Sequence, residues 1–253
     1  MAKIHFVLNG KGGIGKSFIS SLLCQYFLDK GESIVAIDTD PNNTTLLNVK
    51  ALKAKFLQLI DDEGKFDVRA FDKIVELAFE KKAKNYIIDS GATTFIPLID
   101  YLKENEVLDF LTSNSLEVFM HVPIVGGQAR DDTILGLTQL TQAFNCSFVV
   151  WVNEYHGSII KDDLEFEETK EYQAIKEKIK AIIYLNALSK DTFGKDLLEL
   201  TSKNLTFGKD LLELTSKNLT FGEAMQDKNF SLMSKQRLKI FKDKAFIQIG
   251  NIL

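Results

Sequence analysis

The sequence predicts an α/β fold: a mostly parallel, doubly wound sheet flanked by helices on both faces. Three observations carry that expectation. Short apolar runs alternate with longer amphipathic stretches, the rhythm of successive βα units. Several runs are almost continuously apolar, as in Phe148-Val149-Val150-Trp151-Val152, which suits strands covered on both sides. Two runs end in aspartates, Asp38 and Asp89, and the carboxyl ends of strands are where open α/β sheets bind ligands.

Taken in order, strands are expected at Lys3–Leu8, Ser33–Asp38, Leu52–Ile60, Tyr86–Asp89, Glu117–Val125, Phe148–Asn153 and Ala181–Leu185. Helices are expected at Lys16–Asp29, Ala70–Lys82, Ile96–Lys103, Asp131–Phe144, Glu167–Lys180 and Leu232–Ile249. No Pro/Gly/Ser-rich linker divides the chain, so residues 1–253 are expected to form one domain. At 45% hydrophobic, 253 residues suffice for a full core.

The composition narrows the function classes. A net charge of −4 argues against wholesale coating of nucleic acid, while leaving room for a local basic patch. No apolar run approaches the roughly 20 residues that cross a bilayer, and no charged-then-apolar leader precedes the first strand, so a cytoplasmic protein is expected. Cys24 and Cys146 are far apart in apolar contexts and read as reduced thiols. His5, His121 and His156 are scattered, which gives a histidine metal site little support.

The strongest motif is Asn9-Gly10-Lys11-Gly12-Gly13-Ile14-Gly15-Lys16-Ser17. From Gly10 to Ser17 it satisfies G-x-x-x-x-G-K-[ST], with an apolar strand before it and a helix after it: a phosphate-binding P-loop. Glycines let the backbone close around phosphates so that successive N–H groups point at oxygens. The helix that follows adds its unpaired amides and dipole. Lys16 is placed to reach the β- and γ-phosphates and the Ser17 hydroxyl to ligate Mg²⁺. The nucleotide contacts are therefore expected from Gly10, Lys11, Gly12, Gly13, Ile14, Gly15, Lys16, Ser17 and Phe18, with ATP and Mg²⁺ as the cofactors. Tyr86-Ile-Ile-Asp89 has the Walker B arrangement for Mg²⁺, and Ser90-Gly-Ala-Thr-Thr94 follows as a small-residue stretch able to move.

The extra lysine in Lys11-Gly-Gly-Ile-Gly-Lys-Ser17 resembles the deviant Walker motif of the ParA/MinD superfamily. The resemblance implies an ATP-dependent homodimer in which Lys11 reaches the partner copy's nucleotide, so that Lys11, Lys16 and Asp40 are catalytic. It also implies that Asp38 helps hold the Mg²⁺ water shell, that Asp40 orients the attacking water, and that Asn153 contacts adenine. After Asp40-Pro41 the family's usual glutamine and glycine are replaced by Asn42-Asn43-Thr44-Thr45. Within the superfamily, Ile88-Asp-Ser-Gly-Ala-Thr-Thr-Phe-Ile-Pro-Leu98 and Leu232-Met-Ser-Lys-Gln-Arg-Leu238 are similar to the TraL/StbB type of plasmid transfer and stability ATPase. That implies a nucleotide switch acting with an unknown activator or plasmid-transfer protein. The alternatives are a ParA-like DNA-segregation ATPase and a P-loop synthetase or kinase acting on a small molecule.

Two C-terminal features remain. Phe193–Thr206 recurs without change as Phe207–Thr220, and Phe221-Gly222 begins a third unit. Thr192, Thr206 and Thr220 are candidate helix caps, Thr220 with Glu223 having capping-box spacing, and Asn204 and Asn218 are candidate stops. The simplest expectation is one added surface helix. The last segment carries Lys235, Arg237, Lys239, Lys242 and Lys244 beside a stripe of Leu238, Phe241, Ala245, Ile249 and Ile252. It is either a helix packed on the sheet or a contact for DNA or membrane, at the nucleoid or the inner membrane.

Overall fold

A computed structural model describes residues 1–40, 45–61, 63–80, 82–186, 189–201 and 218–253. Strand β1 (Ala2–Val7) leads into α1 (Lys16–Asp29), β2 (Ile34–Asp38), α2 (Thr45–Asn48), β3 (Lys55–Phe56) and α3 (Val68–Phe79). Next come β4 (Asn85–Asp89), α4 (Phe95–Glu104), α5 (Val107–Ser113), β5 (Leu116–Val125), α6 (Arg130–Ala143) and β6 (Ser147–Asn153). The chain closes with α7 (Lys170–Ile175), β7 (Ile179–Leu185), α8 (Lys195–Leu200), α9 (Phe221–Gln226) and α10 (Leu232–Gly250).

The sheet has seven strands in the order β3-β2-β4-β1-β5-β6-β7, and every pairing is parallel. Side chains alternate across each strand. Ile4 and Phe6 of β1 and Phe148, Val150 and Val152 of β6 enter one core, shared with α3, α4, α5 and α6. Val7, Val149 and Trp151 face the other, built with α1, α8, α9 and α10. A sheet buried on both sides needs apolar residues at both parities, which is why the runs read as continuous rather than alternating. β1 leads leftward to β2, whereas β4 leads across β1 to β5, so the order reverses beside β1. A doubly wound sheet opens its ligand crevice at that reversal.

Three expectations are corrected, and one helix is added. The strand expected over Leu52–Ile60 is reduced to Lys55–Phe56, preceded by a 3₁₀ turn at Lys50–Leu52. It lies at one edge of the sheet, and Lys55 and Phe56 are both exposed, so no burial rewards a longer strand there. The helix expected over Glu167–Lys180 is broken because Thr169 is extended (φ −74°, ψ 152°) and its hydroxyl accepts from the Tyr172 N–H, starting α7 afresh. α5 had no sequence signal: Glu106 ends the previous helical stretch in a left-handed conformation (φ 48°), unusual for a residue with a Cβ. Thr192 lies inside a π-helical turn, Lys190–Gly194, rather than capping α8.

Thr220 does cap α9, with the reciprocal Glu223 contact of a capping box. Thr206 and Asn204 lie outside the described residues. The stripe Leu238, Phe241, Ala245 and Ile249 is buried against α1 and the sheet, so it offers no apolar face to a membrane. No helix among the described residues is long and apolar enough to cross one.

A chain of polar groups crosses the sheet on the α1 side. The Trp151 indole N–H donates to His121 Nδ1 (3.0 Å), and His121 Nε2 lies 3.0 Å from His5 Nδ1. His5 Nε2 faces Asn85 Oδ1 (3.4 Å), whose amide donates to Glu32 Oε2 (2.8 Å). An indole can only donate, so every later proton is assigned: both imidazoles are neutral Nε2–H tautomers. Burial depresses both, His5 to about 3 and His121 in the same direction. The unfolded chain, with histidines near 6.5, therefore binds more protons below that pH, and this pair's contribution to stability declines as pH falls from about 6.5. The imidazole NMR resonances of His5 and His121 should stay constant from pH 8 to pH 5; a midpoint near 6.5 for either would contradict the assignment.

Candidate nucleotide site

The loop after β1 turns at Gly13 (φ 75°) and Gly15 (φ 97°), backbone conformations that a Cβ makes costly. Gly15 is also hemmed in: a Cβ there would lie 2.7 Å from Asn153 Nδ2. α1 starts at Lys16, so the loop delivers its amides to a helix N-terminus. Asn9 anchors the loop from below. Its amide donates to the Pro123 and Thr133 carbonyls (3.0 and 3.1 Å), and its Oδ1 accepts from the Lys11 N–H (3.1 Å). The sequence reading gave Asn9 no role, although its place directly before Gly10 marks where the strand must hand over to the loop.

The predicted residues converge here. Lys16 Nζ donates to the Lys11 carbonyl (2.7 Å) and is buried. Burial lowers its affinity for a proton, and the charges of Asp89 and Asp40 work against that. Asp38 and Asp89 sit side by side at paired strand ends, both buried. Asp38 Oδ1 accepts from the Asp40 N–H (3.1 Å), and Asp89 Oδ1 accepts from the Ser20 hydroxyl (3.0 Å). Ser17 and Ser20 both favour the ionised form of Asp89. Ser20 went unnoticed in the sequence, although a serine cluster in an otherwise apolar helix is a usable signal. Burial raises Asp38 to about 6; burial and the neighbouring Asp38 raise Asp89 to about 7. Asp40 packs against the Ser90–Thr94 stretch, where a Cβ on Gly91 would come 3.2 Å from Asp40 Cα and Cγ.

Asp38 Oδ2 and Asp89 Oδ2 are buried without a hydrogen-bond partner. Two such carboxylate oxygens, beside the Ser17 hydroxyl, are the donor set a hard divalent cation takes, with water and phosphate oxygens completing its shell. The residues fit Mg²⁺. Among the described residues no group of three or more His, Cys, Asp or Glu side chains forms a metal cage, so any cation held here relies on phosphate as well.

Lys11 points along the surface and pairs with Asp132 on α6 (2.7 Å), both ends half exposed. Such pairs are worth about 0.2–1 kcal/mol, so little holds the lysine there. Asn153 donates to the Ile14 carbonyl (3.0 Å) and accepts from the Tyr155 N–H (3.2 Å), bracing the loop from β6. A cavity of about 200 Å³ runs from Gly13, Lys16, Ser17 and Asp40 past Asn153 to an apolar end at Phe193, Leu197, Phe221 and Phe241. Phe18 lines it and packs on Phe241 (ring centroids 5.9 Å apart).

A glycine loop at the reversal of a parallel sheet, with a buried lysine and two strand-end carboxylates around it, defines a P-loop nucleotide-binding protein. Residues 5–201 match the family model for the CobQ/CobB/MinD/ParA nucleotide-binding domain, and the chain belongs to that family. It is 40% identical to Protein TraL of Escherichia coli over 253 residues, spanning 99% of this chain and 98% of the relative. Among solved structures it resembles the cell division ATPase MinD of Pyrococcus furiosus, with TM-score 0.51, 14% identity and full coverage of both chains. MinD of Aquifex aeolicus gives TM-score 0.50 and 15% identity over 99% of this chain and 97% of that one. At those identities the MinD structures speak for the shared fold.

Proposed function

We propose that this chain is a single-domain Mg-ATP-dependent ATPase whose ATP-bound form pairs two copies face to face, as a switch in conjugative plasmid transfer or plasmid maintenance. The observation that carries the ATPase reading is the pair of unpartnered oxygens, Asp38 Oδ2 and Asp89 Oδ2, buried beside the Lys16 loop. Leaving two carboxylate oxygens unsatisfied costs stability unless a bound cation repays it. When bound, Mg²⁺ supplies charge neutralisation at the phosphates.

The chain's own residues do the rest. Loop amides and Lys16 hold the β- and γ-phosphates. Asp40, placed against Gly91 at the γ-phosphate end, orients the attacking water. Lys11 leaves Asp132 for the partner copy's phosphates, adding positive charge where the transferring phosphoryl group develops negative charge. Asn153 acts by bracing the loop and lies beside the base. Pairing is supported by apolar side chains exposed around this end of the sheet: Ile96 on α4, Leu135 on α6, and Ile160 and Leu164 on the segment tied to α6 by the Lys161–Asp131 pair. The plasmid role rests on similarity to TraL along nearly the whole chain.

Sedimentation of the Asp40→Ala protein tests the reading. It should remain monomeric without nucleotide, form a stable dimer with Mg-ATP, and hydrolyse ATP at least about 100-fold more slowly, as expected for loss of a water-positioning group. Undiminished hydrolysis would remove Asp40 from the mechanism, and a monomer with saturating Mg-ATP would remove the pairing. Adding DNA to the same runs identifies a segregation ATPase by salt-sensitive, ATP-dependent co-sedimentation.

A further inference from the structure

The glycine loop is held at one residue from three directions. Asn9 Oδ1 accepts from the Lys11 N–H (3.1 Å), Lys16 Nζ donates to the Lys11 carbonyl (2.7 Å), and the Lys11 side chain pairs with Asp132 (2.7 Å). Two of these holds are temporary. In the proposed nucleotide-bound state Lys16 turns to the phosphates and gives up the carbonyl. The Asp132 pair is half exposed at both ends, and such pairs hold weakly. The third hold involves neither nucleotide nor solvent, because the Asn9 side chain is buried.

Asn9 is also the joint between this loop and α6. A carboxamide nitrogen has two hydrogens, and both are used here, on the Pro123 carbonyl of β5 (3.0 Å) and the Thr133 carbonyl of α6 (3.1 Å). α6 comes so close that a Cβ on Gly136 would lie 2.8 Å from Asn9 Oδ1. Thr133 is itself fixed, its hydroxyl donating to the Arg130 carbonyl (2.9 Å) and accepting from the Val125 N–H (3.2 Å). The same turns of α6 carry Asp132 and Leu135 on their exposed side. An asparagine that accepts from the N–H two residues on closes a tight Asx turn. The direction in which Lys11 leaves the loop is thus referred, through one side chain, to β5 and α6.

We propose that Asn9 is a positioning residue for Lys11 in the paired state: it fixes the Lys11 backbone against α6, so that the lysine leaves the loop toward the partner copy. The inference rests on the pairing and the reach of Lys11 proposed above, and adds the residue that aims it. Its consequence is that Asn9 serves the nucleotide held by the other copy. An anchor that merely shaped its own loop would serve the nucleotide held by the same copy. Misplacing a reacting group by about 1 Å costs on the order of 100-fold in rate, and Asn9→Ala should slow hydrolysis by about that factor.

Mixing two slow variants separates these roles. Asp40→Ala lacks the water-orienting group of its own site but still offers a correctly aimed Lys11 to its partner. Asn9→Ala keeps Asp40 and misdirects its own lysine. Combined in equal amounts before Mg-ATP is added, they should recover about a quarter of the wild-type initial rate, since half of randomly formed pairs are mixed and each has one competent site. Lys11→Ala mixed with Asp40→Ala is the control and should recover as much. Recovery with Lys11→Ala but not with Asn9→Ala would overturn the proposal and leave the pairing intact. Recovery with neither would remove the lysine's action across the pair, and the proposal with it. Recovery with Asn9→Ala only, or an undiminished rate for Asn9→Ala by itself, would show that Asn9 does not act through Lys11. Gly136→Ala, which drives a methyl against the Asn9 carboxamide from α6, repeats the test should Asn9→Ala fail to fold.

Discussion

Lys16→Ala is expected to weaken ATP binding by more than about 100-fold, measured by titration with a fluorescent ATP analogue. Lys16 Nζ is buried and bonded to the Lys11 carbonyl, so it stands at the loop rather than in solvent. Its ammonium sits in the field of Asp89 and Asp40. Removing it deprives the incoming phosphates of their nearest cation while both carboxylates remain. Leaving a buried charge uncompensated costs roughly 3–5 kcal/mol, which is where the hundredfold or greater loss comes from. Lys16→Met, which keeps the aliphatic stem, should lose as much. Unchanged affinity in either variant would refute the phosphate assignment and, with it, the proposed reaction.

The second large effect has the opposite sign on stability. Asp89→Asn should stabilise the nucleotide-free protein in chelator while abolishing Mg²⁺-dependent hydrolysis. Asp89 is raised to about 7 by burial and by Asp38, from the ordinary aspartate value of 3.8. The folded state therefore binds a proton more tightly than the unfolded one. Stability contributed by the protonated acid is present below pH 4 and lost as pH rises toward 7. At pH 8 the ionised pair is at its most costly. At about 1.4 kcal/mol per unit, relief from the asparagine is on the order of 2–4 kcal/mol, or about 5–10 °C in melting temperature. The gap between variant and wild type should narrow as pH falls from 8 to 5, in calorimetry without nucleotide. Equal melting temperatures at pH 8 would mean that the pair is not strained.

The parts of this site readable from sequence were those set by local chemistry. The glycine-lysine loop, its flanking strand and helix, and the aspartates at strand ends are all short-range patterns, and the structure gathers them in one place. Groups that act over long separations were not readable. Asn9 works through carbonyls more than a hundred positions away, and Ser20 through Asp89. Asp132, the surface partner of Lys11, lies on a helix whose charges look like ordinary solvated ones. The fold shows the same division. Interior strands, with neighbours on both sides, follow their apolar runs. At one edge of the sheet β3 keeps only two residues, both exposed, while β7 at the other edge, partly buried, keeps seven. α5 and the broken stretch around Thr169 depend on single backbone angles that side-chain periodicity does not encode. The packed C-terminal helix illustrates a further limit: an apolar stripe states that something covers it, and only the tertiary structure says that α1 and the sheet do.

The row running from Trp151 through His121 and His5 to Asn85 has a consequence for how the interior strands find their alignment. Greasy contacts tolerate sliding, since one branched carbon resembles the next. Four polar groups in a fixed ordering do not: sliding β4 by two places, for example, would set His5 Nε2 against Ile87 instead of Asn85. The middle of the sheet thus carries its own alignment key, and a misaligned intermediate is penalised before any ligand arrives.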